Sequence, residues 1–343
     1  MHQPPRLLFT MGDVAGIGPE IIARAWPELL AVCRPVVIGD PGWLRRAMQL
    51  VGSSAEIGDI RRVDQASASP HLVPCLPGST QVLSDVTLGR VSAAAGKAAY
   101  EFLCTAIDLA LAREAEGIVT APLHKEGLHA AGLKYPGHTE ILAERTGSRS
   151  FGMMLYARGS TIPHGLGVVH VTLHMALRDV FRNLTTQAVV EKVRLLRGIM
   201  RTLCGKEPRL AVAALNPHAS DGGLFGDEEA AIIAPAVRQA HGEGVNVTGP
   251  WPCDTLFVRA QRGEFDGIVA MYHDQGHIAL KLLTGLAAVN VSVGLPIVRT
   301  SVAHGTAYDI AGRGIADHRS LVEAAQVAAK LAQAAAARDF APA

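Results

Sequence analysis

The sequence predicts a two-domain α/β protein, and three observations predict it. At 343 residues the chain is longer than a single hydrophobic core usually grows. Hydrophobic residues make up 49% of it against 18% charged, enough to fill sizeable cores. Short apolar runs recur, each ending in or near Gly, Pro, Asn or His and most followed by a longer helical pattern, which is the rhythm of α/β units.

In chain order, residues 7–11 form the first predicted strand. Met-Gly-Asp-Val-Ala-Gly-Ile-Gly-Pro-Glu, residues 11–20, then turns into a helix with Pro19 near its first position, where a missing N–H is tolerated. Residues 36–39 are the second strand, and residues 64–82, rich in Ser and Pro, read as an irregular surface excursion. Ser92 is placed to cap a helix over residues 92–115, whose apolar residues fall at helical spacing. Strands are expected at 117–120, 151–156, 167–173 and 210–215. A helix over 227–239 opens acidic, as a helix N-terminus favours. Strands at 267–272 and 288–293 and an Ala-rich amphipathic helix over 320–337 complete the series. No repeat or low-complexity linker marks a domain boundary.

Thirty-two basic and 31 acidic residues leave a net charge of +1, so the chain lacks the electrostatic footprint of a nucleic-acid binder and attracts any charged ligand locally. Cys33, Cys75, Cys104, Cys204 and Cys253 are odd in number, widely spaced and without a C-x-x-C pair. That pattern speaks against a disulfide framework or zinc ribbon and for a reducing compartment. The N-terminal segment has no long apolar stretch or small-residue cleavage site, and residues 282–298, the longest uncharged stretch, are interrupted by Asn290, Ser292, two glycines and Pro296. Neither a secretory signal nor a membrane span is expected, and the protein reads as cytoplasmic.

Histidine placement is the most informative chemical pattern. Val-Val-His-Val-Thr-Leu-His ends at His174, Ala-Leu-Asn-Pro-His ends at His218, and Ala-Met-Tyr-His-Asp-Gln-Gly contains His273, so three apolar strands each lead into a histidine. Ligands of open α/β sheets gather at the carboxyl ends of strands, and three neutral imidazoles suit Zn, Co, Ni or Fe. A single strand-end histidine is more often a hydrogen-bonded structural residue, and on spacing alone the two readings weigh about equally.

Gly12, Gly16 and Gly18 do not make the G-x-G-x-x-G spacing, so a standard Rossmann dinucleotide site is not supported, and a tight structural turn accounts for the loop as well as a ligand loop does. Thr-Ala-Pro-Leu-His-Lys after Val119 and Tyr-Pro-Gly-His-Thr-Glu up to Glu140 are dense in polar groups. His138 and Thr139 at a helix start offer donors to a carboxylate or phosphate, or else a cap at Thr139 and a solvated histidine. Lys281, Asn290 and Arg299 surround an apolar stretch and suit an anionic substrate, although each alone fits a surface or ion-paired role.

Taken together, Gly-Asp-x-Ala-Gly-Ile-Gly-Pro-Glu, Thr-Ala-Pro-Leu-His-Lys, Tyr-Pro-Gly-His-Thr-Glu, Leu-Asn-Pro-His-Ala, Gly-Pro-x-Pro-x-Asp-Thr-Leu-Phe, Met-Tyr-His-Asp-Gln-Gly and Arg-Thr-Ser-Val-x-His-Gly-Thr-Ala resemble the 4-hydroxythreonine-4-phosphate dehydrogenase family of pyridoxal phosphate biosynthesis, from Met11 to about Asp317. The resemblance implies an α/β fold of two domains in three layers, similar to isocitrate and isopropylmalate dehydrogenases, with the active site in the interdomain cleft. The first domain would be discontinuous, 1–135 plus 304–343, and the second would be 136–303. It implies a homodimer, NAD or NADP, and one divalent metal per subunit, Zn, Mg, Co, Mn or Ni. Metal ligands would fall on His174, His218 and His273, and substrate contacts on His138, Thr139, Lys281, Asn290 and Arg299. Asp254 and Lys281 would be the candidates for proton transfer. Gly12, Asp13, His304, Gly305, Thr306, Asp309 and Gly312 would hold the cofactor. The implied activity is oxidation of a small phosphorylated substrate, 4-phosphohydroxy-L-threonine, followed by decarboxylation.

Three positions depart from the family pattern: Val14 stands where proline is common, Ala303 stands where an acid is usual, and residues 158–165 read as a small insertion. His-Val-Thr-Leu-His-Met-Ala-Leu-Arg and Gly-His-Ile-Ala-Leu-Lys also resemble the branch acting on 4-phospho-threonate or 4-phospho-erythronate. An acyltransferase of related fold is the alternative from another class, disfavoured because acyl transfer to phosphate needs no Lewis acid.

Overall fold

A computed structural model describes residues 3–285 and 288–339. Its strands are β1 (Arg6–Thr10), β2 (Arg34–Gly39), β3 (Glu56–Asp59), β4 (Leu72–Pro77), β5 (Gly117–Thr120), β6 (Gly152–Gly159), β7 (Ile162–His170), β8 (Leu210–Ala213), β9 (Val247–Trp251), β10 (Gly267–Ala270), β11 (Val289–Val293) and β12 (Arg299–Val302). The α-helices are α1 (Gly18–Val32), α2 (Pro41–Leu50), α3 (Ala93–Leu111), α4 (Lys125–Ala130), α5 (His138–Thr146), α6 (Leu177–Asn183), α7 (Thr186–Cys204), α8 (Ala234–Gly242), α9 (Cys253–Gln261), α10 (His273–Thr284) and α11 (Arg319–Asp339). Two compact units result: Met1–Arg149 with Leu295–Ala343, and Ser150–Gly294.

The first unit is built on parallel strands in the order β3-β4-β2-β1-β5-β12. Leu7, Leu8 and Phe9 of β1 and Val36 to Ile38 of β2 are fully or almost fully buried, the near-continuous apolar run expected of a parallel sheet covered on both faces. Helix α1 packs on α11 and α2, while α3 packs on α4 and on β1, β2 and β5. Ser92 caps α3 by accepting from the Ala95 N–H, and Pro19 occupies the first turn of α1. Strand β1 leads to β2 on one side and has β5 on the other, so the strand order reverses beside β1, where α/β sheets hold ligands.

The second unit orders its strands β11-β6-β7-β10-β8-β9. Strand β6 runs antiparallel to both neighbours, and β7, β10, β8 and β9 run parallel. Helix α7, capped by Thr185, lays Val189, Val193, Leu196 and Met200 against the sheet.

Several expectations are corrected. Residues 64–82 are not an irregular excursion, because β4 lies there between β3 and β2 with Val73 and Cys75 fully buried. Pro74 and Pro77 hid it, since proline ordinarily argues against an interior strand. Residues 158–165, where a small insertion is expected, lie at the tip of the β6–β7 hairpin, with Gly159 paired to Ile162. Strands β3, β9 and β12 were also absent from the sequence reading, and each has only four or five residues. Residues 136–149 and 295–303 belong to the first unit rather than the second, because α5 packs on α3 and β12 pairs with β5. His138, Thr139 and Arg299 move with them. No described helix is long and apolar enough to cross a membrane.

Candidate active site

In the second unit, β7, β10 and β8 are adjacent and parallel, and His174, His273 and His218 each follow the carboxyl end of one of them. His273 opens α10, its Nδ1 2.6 Å from Asp274 Oδ1, which directs its Nε2 away from the carboxylate. The rings of His174 and His273 lie 5.7 Å apart between centroids. His218 sits apart from them in a run of left-handed backbone: His218, Ala219, Ser220 and Asp221 have φ of 53°, 53°, 73° and 45°. Four consecutive residues other than glycine in that region persist only where the surroundings over-determine them.

The segment leading into this run is anchored by a buried carboxylate, and Ser220 within it donates from Oγ to the Gly226 carbonyl. Buried Glu229 accepts from the Leu215 and Asn216 N–H groups at 2.8 and 2.7 Å, and from Asn216 Nδ2 at 2.9 Å. Burial alone would raise its pKa, but these donors outweigh it and hold the carboxyl below its usual value. Buried Gln275 completes the frame, its Oε1 accepting from Met271 N–H and its Nε2 donating to the Ala214 carbonyl, both at 2.7 Å. The end of β10 is thereby tied to the end of β8.

Among the described residues, no three His, Cys, Asp or Glu side chains converge closely enough to grip an ion. The donor chemistry nonetheless fits a divalent transition metal: three imidazoles at neighbouring strand ends, one oriented by a carboxylate on its other nitrogen. Lys281 is exposed on α10, Asp254 is exposed in the first turn of α9, and Asn290 lies in β11 with a buried Oδ1 that has no hydrogen-bond partner.

Sequence reasoning missed two histidines. His170 ends β7 and His277 lies one turn after His273 on α10, so that the chain carries His-x-x-x-His twice. Both are buried, with His170 Nε2 and His277 Nδ1 3.1 Å apart. Burial, then the neighbouring imidazoles His277 and His273, pushes His170 down to about 3. Burial, then His273 and Lys281, pushes His277 down to about 4, so both are neutral near pH 7. The paired spacing was the available signal.

In the first unit, His138 begins α5, with Gly137 rather than Thr139 in the capping position. Arg299, at the start of β12, is 1% exposed and donates from Nη2 to Thr120 Oγ1 at 2.6 Å. Burial lowers its pKa to about 9, against the pull of Glu140, and leaves a cation at neutral pH. Burial, and then Arg299, holds His138 well below the usual imidazole value. A neutral imidazole, a guanidinium and a helix N-terminus thus share one corner, a set of donors suited to an anion.

Beside β1, the loop from Met11 to Ile17 and the segment after β12 are joined. Ile17 N–H donates to the Thr306 carbonyl at 3.0 Å, and Tyr308 Oη donates to Asp13 Oδ2 at 2.7 Å. Asp13 is fully buried and its pKa is raised by burial, against the hydrogen bonds from Tyr308 and Ala15. Gly12 has φ +67°, and a Cβ there would stand 2.2 Å from the Pro122 carbonyl oxygen, so only glycine fits. His124 stacks on Tyr308 at 4.6 Å, another pair the sequence reading did not reach. Of the expected cofactor positions, Gly12, Asp13 and Thr306 are therefore part of one loop junction, whereas His304 bonds only locally to the Gly305 carbonyl and Asp309 and Gly312 lie further along that segment.

Residues 31–328 match the family described as Pyridoxal phosphate biosynthetic protein PdxA. The chain is 46% identical to a 4-hydroxythreonine-4-phosphate dehydrogenase of Beijerinckia indica, over 95% of this chain and 94% of the relative. It is 44% identical to a D-threonate 4-phosphate dehydrogenase of Cupriavidus necator, over 96% and 97%. A crystal structure of 4-hydroxythreonine-4-phosphate dehydrogenase from Klebsiella pneumoniae matches with a TM-score of 0.85 and 41% identity, covering 96% of this chain and all of that one. These relatives are dehydrogenases, which sets the acyltransferase alternative aside. The chain belongs to the PdxA family of pyridoxal phosphate biosynthetic proteins and is a dehydrogenase enzyme.

Proposed function

We propose that the chain is a metal-dependent, NAD-linked dehydrogenase that oxidises a phosphorylated hydroxy acid of the 4-hydroxythreonine-4-phosphate type and decarboxylates the product, with NADP as the alternative cofactor. The observation that carries the reading is the set of three histidines following the carboxyl ends of adjacent parallel strands. When bound, a divalent metal supplies Lewis acidity to substrate oxygens and the nicotinamide supplies a hydride acceptor. His174, His218 and His273 hold the metal through ring lone pairs. Arg299, His138 and Thr139 take the anionic group, and Asn290 offers its amide. Lys281 or Asp254 accepts the hydroxyl proton and returns one to carbon after carbon dioxide leaves. Gly12, Asp13, His304, Gly305, Thr306, Asp309 and Gly312 hold the dinucleotide. A homodimer belongs to the same reading, supported by the exposed apolar side chains Leu177, Phe181, Leu224, Phe225, Ile278 and Leu282 of the second unit.

D-threonate 4-phosphate is the second substrate reading, favoured by His170 and His277 within the wording that resembles that branch. One experiment covers substrate, cofactor and metal: the two phosphorylated acids and D-erythronate 4-phosphate, each with NAD and NADP and several divalent ions. Reduced nicotinamide and carbon dioxide are expected in step on one substrate. A chelator abolishes both, added metal restores them, and His218→Ala lowers bound metal. Full turnover by metal-free protein sinks the metal assignment, and no turnover of any substrate sinks the substrate class.

A further inference from the structure

We infer that His170 and His277 are positioning residues, a hydrogen-bonded imidazole pair that fixes the plane and register of the His273 ring; the inference rests on the reading of His273 as a metal ligand. His273 and His277 are one turn apart on α10 and stack at 3.8 Å between centroids with planes 11° apart. His277 cannot swing, because its Nδ1 lies 3.1 Å from His170 Nε2 and 3.2 Å from the His273 carbonyl oxygen. Both neighbours are satisfied at once only if His277 Nδ1 carries the proton and donates to them. The proton of His170 is then on Nδ1, a buried atom with no hydrogen-bond partner, and His277 Nε2 is left as a lone pair.

The fold makes room for this arrangement. A Cβ on Gly276 would stand 2.4 Å from His170 Nε2 and 2.8 Å from Val168 Cγ1, so the side chain absent from that turn is the space the His170 ring fills. His273 is consequently held on two sides, by Asp274 on its Nδ1 edge and by the anchored His277 on its face. Groups that orient a ligating imidazole contribute about 10- to 100-fold to metal affinity.

The test uses the full-length chain loaded with Co(II), read by its visible absorption bands and by calorimetric titration, with circular dichroism as the check on folding. His277→Leu should weaken Co(II) binding at least about tenfold and shift the bands. His277→Asn, whose amide can stand where Nδ1 was, should recover most of both. Wild-type affinity and bands in folded His277→Leu overturn the inference. Equal loss in His277→Asn also overturns it, because His277 would then act through Nε2 as a ligand itself. Should His277→Leu fail to fold, histidine ¹⁵N spectra of the zinc-loaded native chain decide: a proton on His277 Nδ1 supports the pair, and a proton on Nε2 overturns it. Failure of the native chain to bind Co(II) would instead overturn the assignment of His273 as a ligand.

Discussion

Under the proposed function, Arg299 is the residue on which recognition of the anionic group turns. It sits at the first position of β12, bonded to Thr120 and close to His138 and Glu140, so its charge is fixed in place by the sheet rather than by a mobile loop. Charge-assisted hydrogen bonds are worth about 1.5–3 kcal/mol, which is about 10- to 100-fold in binding. Arg299→Met is expected to raise KM for the phosphorylated substrate by that factor with a smaller change in kcat, and Arg299→Lys to recover only part of it, because a point charge does not reproduce the guanidinium fork. Steady-state kinetics on variants shown to be folded checks this, and an unchanged KM removes Arg299 from the site. At this scale the sequence located His174, His218 and His273 just past apolar runs, and each does follow the carboxyl end of a strand. For His170 and His277 it offered only the repeated His-x-x-x-His spacing, because their burial and mutual contact arise from packing of α10 on β7, a relation between segments 107 residues apart. Tyr308 and Asp13 were invisible as a pair for the same reason, being 295 residues apart.

Elements place these residues, and the most informative case is the backbone around His218. The segment leading into its left-handed course is anchored to the π-helical turn Glu229–Ile233, where Glu229 receives three hydrogen bonds from Leu215 and Asn216. Removing that carboxylate leaves two backbone N–H groups without their acceptor beside a strained segment. Glu229→Ala is therefore expected to cost about 2–4 kcal/mol, from the penalty of leaving such groups unsatisfied, and to lower metal retention by releasing His218. Urea unfolding and metal analysis measure the two effects; normal metal content would show that the His218 segment keeps its course unaided. Helices and core strands were legible because their periodicity is local, as in α3 with Ser92 at its start. Strand β4 was not, because its place in the sheet is set by β2 and β3, and that tertiary pairing overrides the discouragement of its prolines.

For the whole molecule, the proposed ligands divide between the units, the three histidines in Ser150–Gly294 and the Asp13–Thr306 junction in the other. Hydrogen exchange should resolve them. A divalent metal at 100 times its Kd adds about 2.7 kcal/mol to the state that binds it, and protection is expected to rise around residues 213–223 and 270–280. NAD is expected to protect residues 11–18 and 304–312 instead. Protection by metal confined to the first unit would contradict the histidine assignment.

The division of the chain has a consequence for its synthesis. The second unit is one continuous stretch, whereas the first is closed only by Leu295–Ala343, which supplies β12 beside β5 and α11 against α1, β5 and β12. On a ribosome the segment 150–294 has emerged in full while β5 is still an open sheet edge, a surface prone to wrong partners. Strand β1 and the loop after it are thus made long before their partners, and β12 and the segment beyond it must follow before β5 loses its open edge and Tyr308 can reach Asp13.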